Sequence, residues 1–167
     1  MSLPEGTRAE LVDGELYMSP SPFEKHQRAA GNLYFALRKF VDSRMLGRIY
    51  AAPFDVHLPS GDIVQPDLIF IATRNFSIIQ KWIYGAPDLL VEIASPPDQK
   101  RDQILKRDLY ARNGVAEYWI VDPEAKAIEV LTLAKSRYEP HGHFEEADTL
   151  LSPLLTGLSL PVRLLFE

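Results

Sequence analysis

The run "AELVDGELYMS" (9–19) alternates apolar and polar residues around Asp13-Gly14, and a period of two about an Asp-Gly pair predicts a β-hairpin. In "SPFE" (21–24), Ser21 suits a helix cap, Pro22 the first helical position and Glu24 the acid of a capping box. The spacing then changes. Ala30, Leu33, Tyr34, Leu37, Phe40 and Val41 recur every three or four residues, which predicts an amphipathic helix stopped by Gly47.

Two extended runs follow, "RIYAAPFDVHL" (48–58) and "DIVQPDLIFIA" (62–72), joined by Pro59-Ser60-Gly61. Pro66 has no amide proton to give a sheet, so the buried half of the second run begins at Asp67. Residues 73–87 carry no clear period, with a short helix expected around 78–82. Leu89, Leu90, Val91, Ile93 and Ala94 form a nearly unbroken apolar run, the pattern of a strand covered on both faces. A helix is expected from about Asp98 to Arg112, after Pro96-Pro97 and before Asn113-Gly114. "AEYWIVDPEAKAIEVLTL" (116–133) predicts another hairpin turning at 122–125, and "LPVRLLF" (160–166) a last strand or short helix. This order gives a single α/β or α+β domain over residues 1–167. A mixed central β-sheet is flanked by helices, with β-hairpins towards the N- and C-terminal ends.

Bulk composition narrows the function. The chain is 46% hydrophobic and 25% charged, as expected of a packed soluble domain, and no apolar run reaches the length of a membrane span. The absence of cysteine excludes thiolate zinc sites and disulfides, and fits a cytoplasmic location. A net charge of −5 argues against a surface built throughout for nucleic acid. Six bases against one acid between Lys25 and Arg48 nevertheless leave room for a local basic surface or, equally, a solvated helix face.

Two acids sit where acids are costly. Asp67 in "PDLIFI" and Glu92 in "LLVEIA" both interrupt apolar strands, and an unpartnered buried carboxylate costs several kcal/mol. If the strands are neighbours, the two carboxylates lie side by side and repel unless one is protonated or a cation joins them. Mg²⁺ suits such a pair, because it binds one or two carboxylates together with substrate phosphate oxygens. Asp102, Lys106 and Tyr110 are four apart on the following helix and share a face, while Ile104, Leu105 and Leu109 make its apolar side. From there the long stem of Lys106 can bring an ammonium towards Glu92.

Taken together, "ELVDGEL", "QPDLIFI", "APDLLVEIAS", "RDQILKRDLY" and "NGVAEYWIVDP" resemble the Uma2 family of restriction endonucleases, within the PD-(D/E)xK nuclease superfamily. The resemblance covers roughly residues 9–166 and is densest over 86–123. It implies a restriction-endonuclease-like core and hydrolysis of DNA phosphodiester bonds with Mg²⁺ or Mn²⁺. Pro66-Asp67 matches the "PD" and Glu92 the "(D/E)". The superfamily lysine belongs two residues later, at Ala94, so Lys106 stands as its migrated replacement. Glu10 resembles the family's N-terminal acid and joins Asp67 and Glu92 as a metal ligand. His26 resembles the histidine that opens the first long helix and joins the catalytic set. A homodimer is expected, since cutting both strands is simplest with two sites.

Each residue also has a plainer role open to it. Asp67 could bond nearby amides, Glu10 could face water, and His26 could be a neutral structural histidine. Asp102 could pair with Lys106 or cap its helix. Tyr110, Tyr118 and Trp119 suit the core, and Asp122 a turn. Two rival functions remain at this level. One is a catalytically silent binding or assembly module in which Glu92 and Lys106 form a structural ion pair. The other is a metal-free acid–base hydrolase using Asp67 and Glu92.

Overall fold

The structure is a computed structural model that describes residues 7–95 and 99–167, without the side chains of 99–102. The chain opens with the expected hairpin, β1 (Ala9–Val12) and β2 (Glu15–Met18), turning through Asp13 and Gly14, both at positive φ. Helix α1 spans Glu24–Ser43 and buries His26, Ala29, Leu33, Leu37 and Val41. Its start differs from the sequence expectation. Phe23 is the N-cap, in extended geometry with no side-chain cap bond, so Ser21 lies outside the helix. Glu24 pairs with Arg28 one turn on, 2.5 Å away, rather than closing a capping box. The helix also stops before Gly47, where Met45 turns into the left-handed region. Gly47 instead begins a strand so close to its neighbour that an added Cβ would stand 2.1 Å from the Ile71 carbonyl oxygen.

Both extended runs of the sequence are split between two sheets. The first gives β3 (Gly47–Ala51) and β4 (Val56–His57), broken around Pro53. The second gives β5 (Ile63–Val64) and β6 (Leu68–Ala72), broken at Pro66. Proline cannot donate to a ladder, and each break falls where the chain passes from one sheet to the other. A 3₁₀ helix over Thr73–Ile78 precedes β7 (Ile83–Tyr84), so the short helix lies earlier than the sequence suggests. Next come β8 (Leu89–Ile93), helix α2 (Gln99–Arg112), β9 (Glu117–Asp122) and β10 (Ala127–Ala134), close to expectation. The sequence pattern does not bring out β11 (Arg137–Glu145) or β12 (Thr149–Leu150). The tail is both strand and helix: β13 (Leu160–Pro161), then a 3₁₀ turn over Val162–Leu165.

The large sheet runs β11-β10-β9-β8-β6-β3 and the small one β2-β1-β5-β4-β7, while β12 and β13 pair by themselves. Pairing is antiparallel except for β8 with β9 and β4 with β7, so the large and small sheets are both mixed. Parallel β8 and β9 need a crossover, and α2 supplies it. The alternation along the central strands sends residues to two cores. Leu68, Phe70, Leu89, Val91 and Ile93 meet α1 and the C-terminal segment. Ile69, Ile71 and Leu90 meet α2 and the small sheet. Glu92 shares the face of Leu90. The crossover that joins β8 to β9 therefore covers the acid.

Candidate active site

Antiparallel pairing of Leu68 with Val91 continues by one step to bring Asp67 opposite Glu92, at the ends of two adjacent strands. Asp67 is held from two sides. Its Oδ2 accepts the Ile93 N–H at 2.7 Å, and its Oδ1 lies 3.2 Å from His26 Nε2, on the first turn of α1. Glu10 points inward from β1, is 5% exposed, and accepts the Gln65 N–H at 2.8 Å. All three acids thus reach the same end of the large sheet from separate elements.

Lys106 ties two of them together. It is 6% exposed, and its ammonium lies 3.0 Å from Glu92 Oε1 and 3.0 Å from Glu10 Oε2. Tyr110, one helical turn on, donates its hydroxyl to the same Glu92 oxygen at 2.5 Å. Helix spacing explains the pair: residues four apart lie on one face, and this face meets Glu92. Leu109 is buried beside it, but Ile104 is 64% exposed, so the apolar side of α2 is Leu105, Leu109 and Ala111 rather than the Ile104 edge. Asp102, expected on the Lys106 face, has a side chain outside the described residues. The far end of α2 is pinned by Arg112, which pairs with Asp13 of the hairpin turn and with Asp62 at 3.3 Å.

The electrostatics are unbalanced in a useful direction. Among the described residues, Glu10 and Glu92 meet one ammonium and Asp67 stands opposite Glu92, so these three carboxylates outnumber the Lys106 charge when all are ionised. Burial pushes the Glu92 carboxyl up to about 8. The Lys106 ammonium opposes that rise, the Asp67 and Glu10 carboxylates add to it, and the Tyr110 hydrogen bond lowers it again. Burial also pushes the Tyr110 phenol well above its ordinary value. Among the described residues, no three His, Asp or Glu side chains already converge as a metal cage. The donor set still fits a hard cation, because Glu92 Oε1 takes both Lys106 and Tyr110 while no hydrogen bond among the described residues reaches Oε2. A Mg²⁺ ion that draws its remaining ligands from water and phosphate needs no more than such a pair of carboxylates.

Other expectations resolve on plainer grounds. Tyr118 and Trp119 are fully buried in the core, and Asp122 accepts the Glu124 and Ala125 amides in its turn. Tyr110 has a polar role in addition to its place in the core, a role that its shared face with Lys106 already signals. The basic stretch is partly neutralised: Lys25 pairs with Glu124, Arg28 with Glu24 and Arg38 with Asp42. The contacts that the sequence could not reveal are backbone ones, the Ile93 and Gln65 amides that aim Asp67 and Glu10.

A mixed sheet with a β8–α2–β9 crossover and acids at its strand ends defines a restriction-endonuclease-like fold. The chain belongs to the Uma2 family, whose sequence profile, described as "Putative restriction endonuclease", matches residues 1–163. Its fold is similar to the crystal structure of "a putative nuclease belonging to DUF820" from Anabaena variabilis. That similarity has a TM-score of 0.76 at 21% identity and covers 95% of this chain and 89% of that one. No curated protein matches the chain in sequence. Among the described residues, no helix is long and apolar enough to cross a membrane.

Proposed function

We propose that this chain is a metal-dependent endonuclease of the PD-(D/E)xK type that hydrolyses phosphodiester bonds of DNA, with Mg²⁺ or Mn²⁺ as cofactor. The observation that carries the reading is the position of Lys106. A lysine absent from the usual place at Ala94 returns from α2 to lie 3.0 Å from Glu92. Asp67 and Glu92 would hold the metal, with Glu10 as a further ligand. When bound, the metal stabilises charge on the phosphoryl oxygens and lowers the pKa of a coordinated water.

The chain's own residues do the rest. The Ile93 amide and His26 hold the Asp67 carboxylate in one orientation, and Tyr110 does the same for Glu92. Lys106 presents a fixed positive charge beside Glu92, where it orients the attacking water and offsets negative charge that develops on the phosphoryl oxygens. Glu10 keeps that ammonium in place when Glu92 is engaged elsewhere. The protein acts in the cytoplasm as a homodimer, one site for each DNA strand.

One observation favours a second reading. Lys106 already has carboxylate partners on both sides, as a buried structural ion pair would require. On that reading the fold is a silent binding or assembly module. Calorimetric titration with Mg²⁺ and Mn²⁺, run beside nuclease assays of wild type and Lys106→Ala, separates the two. The nuclease binds millimolar metal and loses cleavage on removal of Lys106, whereas the module binds no metal and cuts nothing.

A further inference from the structure

A cavity of about 280 Å³ opens beside Asp67, bordered by Arg8, His26, Gln27, Gly31 and Tyr34. Four features of its wall are unexplained by packing. Arg8 Nε is buried and has no hydrogen-bond partner, although Arg8 immediately precedes β1 and therefore Glu10. His26 is 9% exposed, and its Nδ1 is likewise buried without a partner. Tyr34 Oη accepts a hydrogen bond from Arg38 Nη1 at 3.0 Å, which leaves the phenolic proton free to donate elsewhere. Gly31 lies in the middle of α1, yet a Cβ added there meets nothing within 4 Å. Glycine is a poor helix former, and no neighbour demands its small size. It leaves the helix bare of a side chain at the border of the cavity.

A buried guanidinium nitrogen and a phenolic proton, both without an acceptor, describe a place for an anion; His26 already spends Nε2 on Asp67 and is not counted among these donors. We propose that this cavity is an anion subsite that takes a phosphoryl group of the nucleic-acid backbone, one position along the strand from the phosphate cut at Asp67 and Glu92. The inference rests on the nuclease reading for the identity of the ligand. Arg8 supplies the charge and a planar pair of donors, and Tyr34 adds a neutral donor. The Asp67 carboxylate repels an anion, so the phosphoryl group belongs against Arg8 rather than against Asp67. The subsite fixes the register of the strand, and with it the bond that is presented for hydrolysis.

The test is calorimetric titration of the full chain with deoxythymidine 3′,5′-bisphosphate in the presence of a chelator, for wild type, Arg8→Ala and Gly31→Leu. Leucine at exposed Gly31 places a bulky side chain at the border of the cavity and favours the helix, so this variant keeps its fold even if Arg8→Ala does not. Binding is expected for wild type and at least tenfold weaker in both variants. Wild-type binding that neither variant weakens, or no wild-type binding, overturns the subsite. Cleavage assays then compare 5′-phosphorylated and 5′-hydroxyl strands. A tenfold rise in KM confined to the phosphorylated strand in Gly31→Leu assigns the subsite to a terminal monoester, and a rise for both assigns it to an internal diester. An unchanged KM for both overturns it while leaving the nuclease reading intact. Bisphosphate binding that depends on Arg8, in a protein that cuts no DNA, supports the subsite and removes the nuclease reading.

Discussion

Lys106 and Glu92 are fourteen residues apart in sequence, and their charged groups meet at 3.0 Å beneath α2. Glu10 holds the other side of the same ammonium. Removing Lys106 therefore strands two buried carboxylates, a change that typically costs about 3–5 kcal/mol. Lys106→Ala is expected to unfold at lower urea than wild type by a corresponding margin, with a larger loss at pH 8 than at pH 5 as Glu92 ionises. Equal urea midpoints for variant and wild type would mean that the ion pair contributes little.

Asp67→Asn keeps a polar group of the same shape between Ile93 and His26 while removing one negative charge. The Asp67 charge helps to raise the Glu92 carboxyl, so that carboxyl should titrate at lower pH in the variant. Carbon-detected NMR of the Glu92 side chain reads the shift. An unmoved Glu92 titration would show that the two carboxylates are not coupled.

Glu92 also gives stability a pH dependence with a definite sign. Its carboxyl is raised from an ordinary value near 4.5 to about 8, so between these values the native protein keeps a proton that the unfolded chain has lost. The contribution is fully present below pH 4.5 and is lost as pH rises through 8, by on the order of a few kcal/mol. Urea unfolding at pH 5 and 8 should show this decline in wild type and a flatter profile in Glu92→Gln. Metal must displace the same proton, so Mn²⁺ affinity is expected to climb with pH and level off above 8.

Glu117 provides the contrast. It is 1% exposed, and its carboxylate accepts Trp119 Nε1, the Ser152 hydroxyl and the Leu154 N–H, which fasten the C-terminal segment to the large sheet. Glu117→Ala leaves three donors without an acceptor, at about 1–3 kcal/mol each. A marked fall in melting temperature with unchanged Mn²⁺ binding is the expected result. A change in metal affinity would tie Glu117 to the site.

Glu117 and Glu92 also mark how far the sequence is legible. Each is an acid in an apolar strand, so the signal that singles out Glu92 applies equally to Glu117. Only the fold separates a carboxylate met by neutral donors from one met by a lysine and two further acids. Helix α1 and the central strands follow from apolar spacing, because their burial is regular, whereas α2 follows from Pro96-Pro97 and Asn113-Gly114 at its borders. The split of residues 48–58 and 62–72 between two sheets does not, since Pro53 and Pro66 announce a break without saying where the chain goes next. The side-by-side placement of Asp67 and Glu92 was legible only on the condition that their strands are neighbours, and Lys106 joined them through the family resemblance; helix spacing alone put it on a face with Tyr110. Arg8 and the Gln65 amide were not legible, because tertiary placement alone makes them neighbours of the site.

The most direct measurement is nicking of supercoiled plasmid DNA by the full chain in Mg²⁺ and in Mn²⁺, with Asp67→Asn in parallel. Nicking that a chelator abolishes and that Asp67→Asn lacks, despite a wild-type circular dichroism spectrum, is the expected result. Chelator-resistant nicking, or equal nicking by Asp67→Asn, would contradict a metal-dependent nuclease centred on Asp67, Glu92 and Lys106.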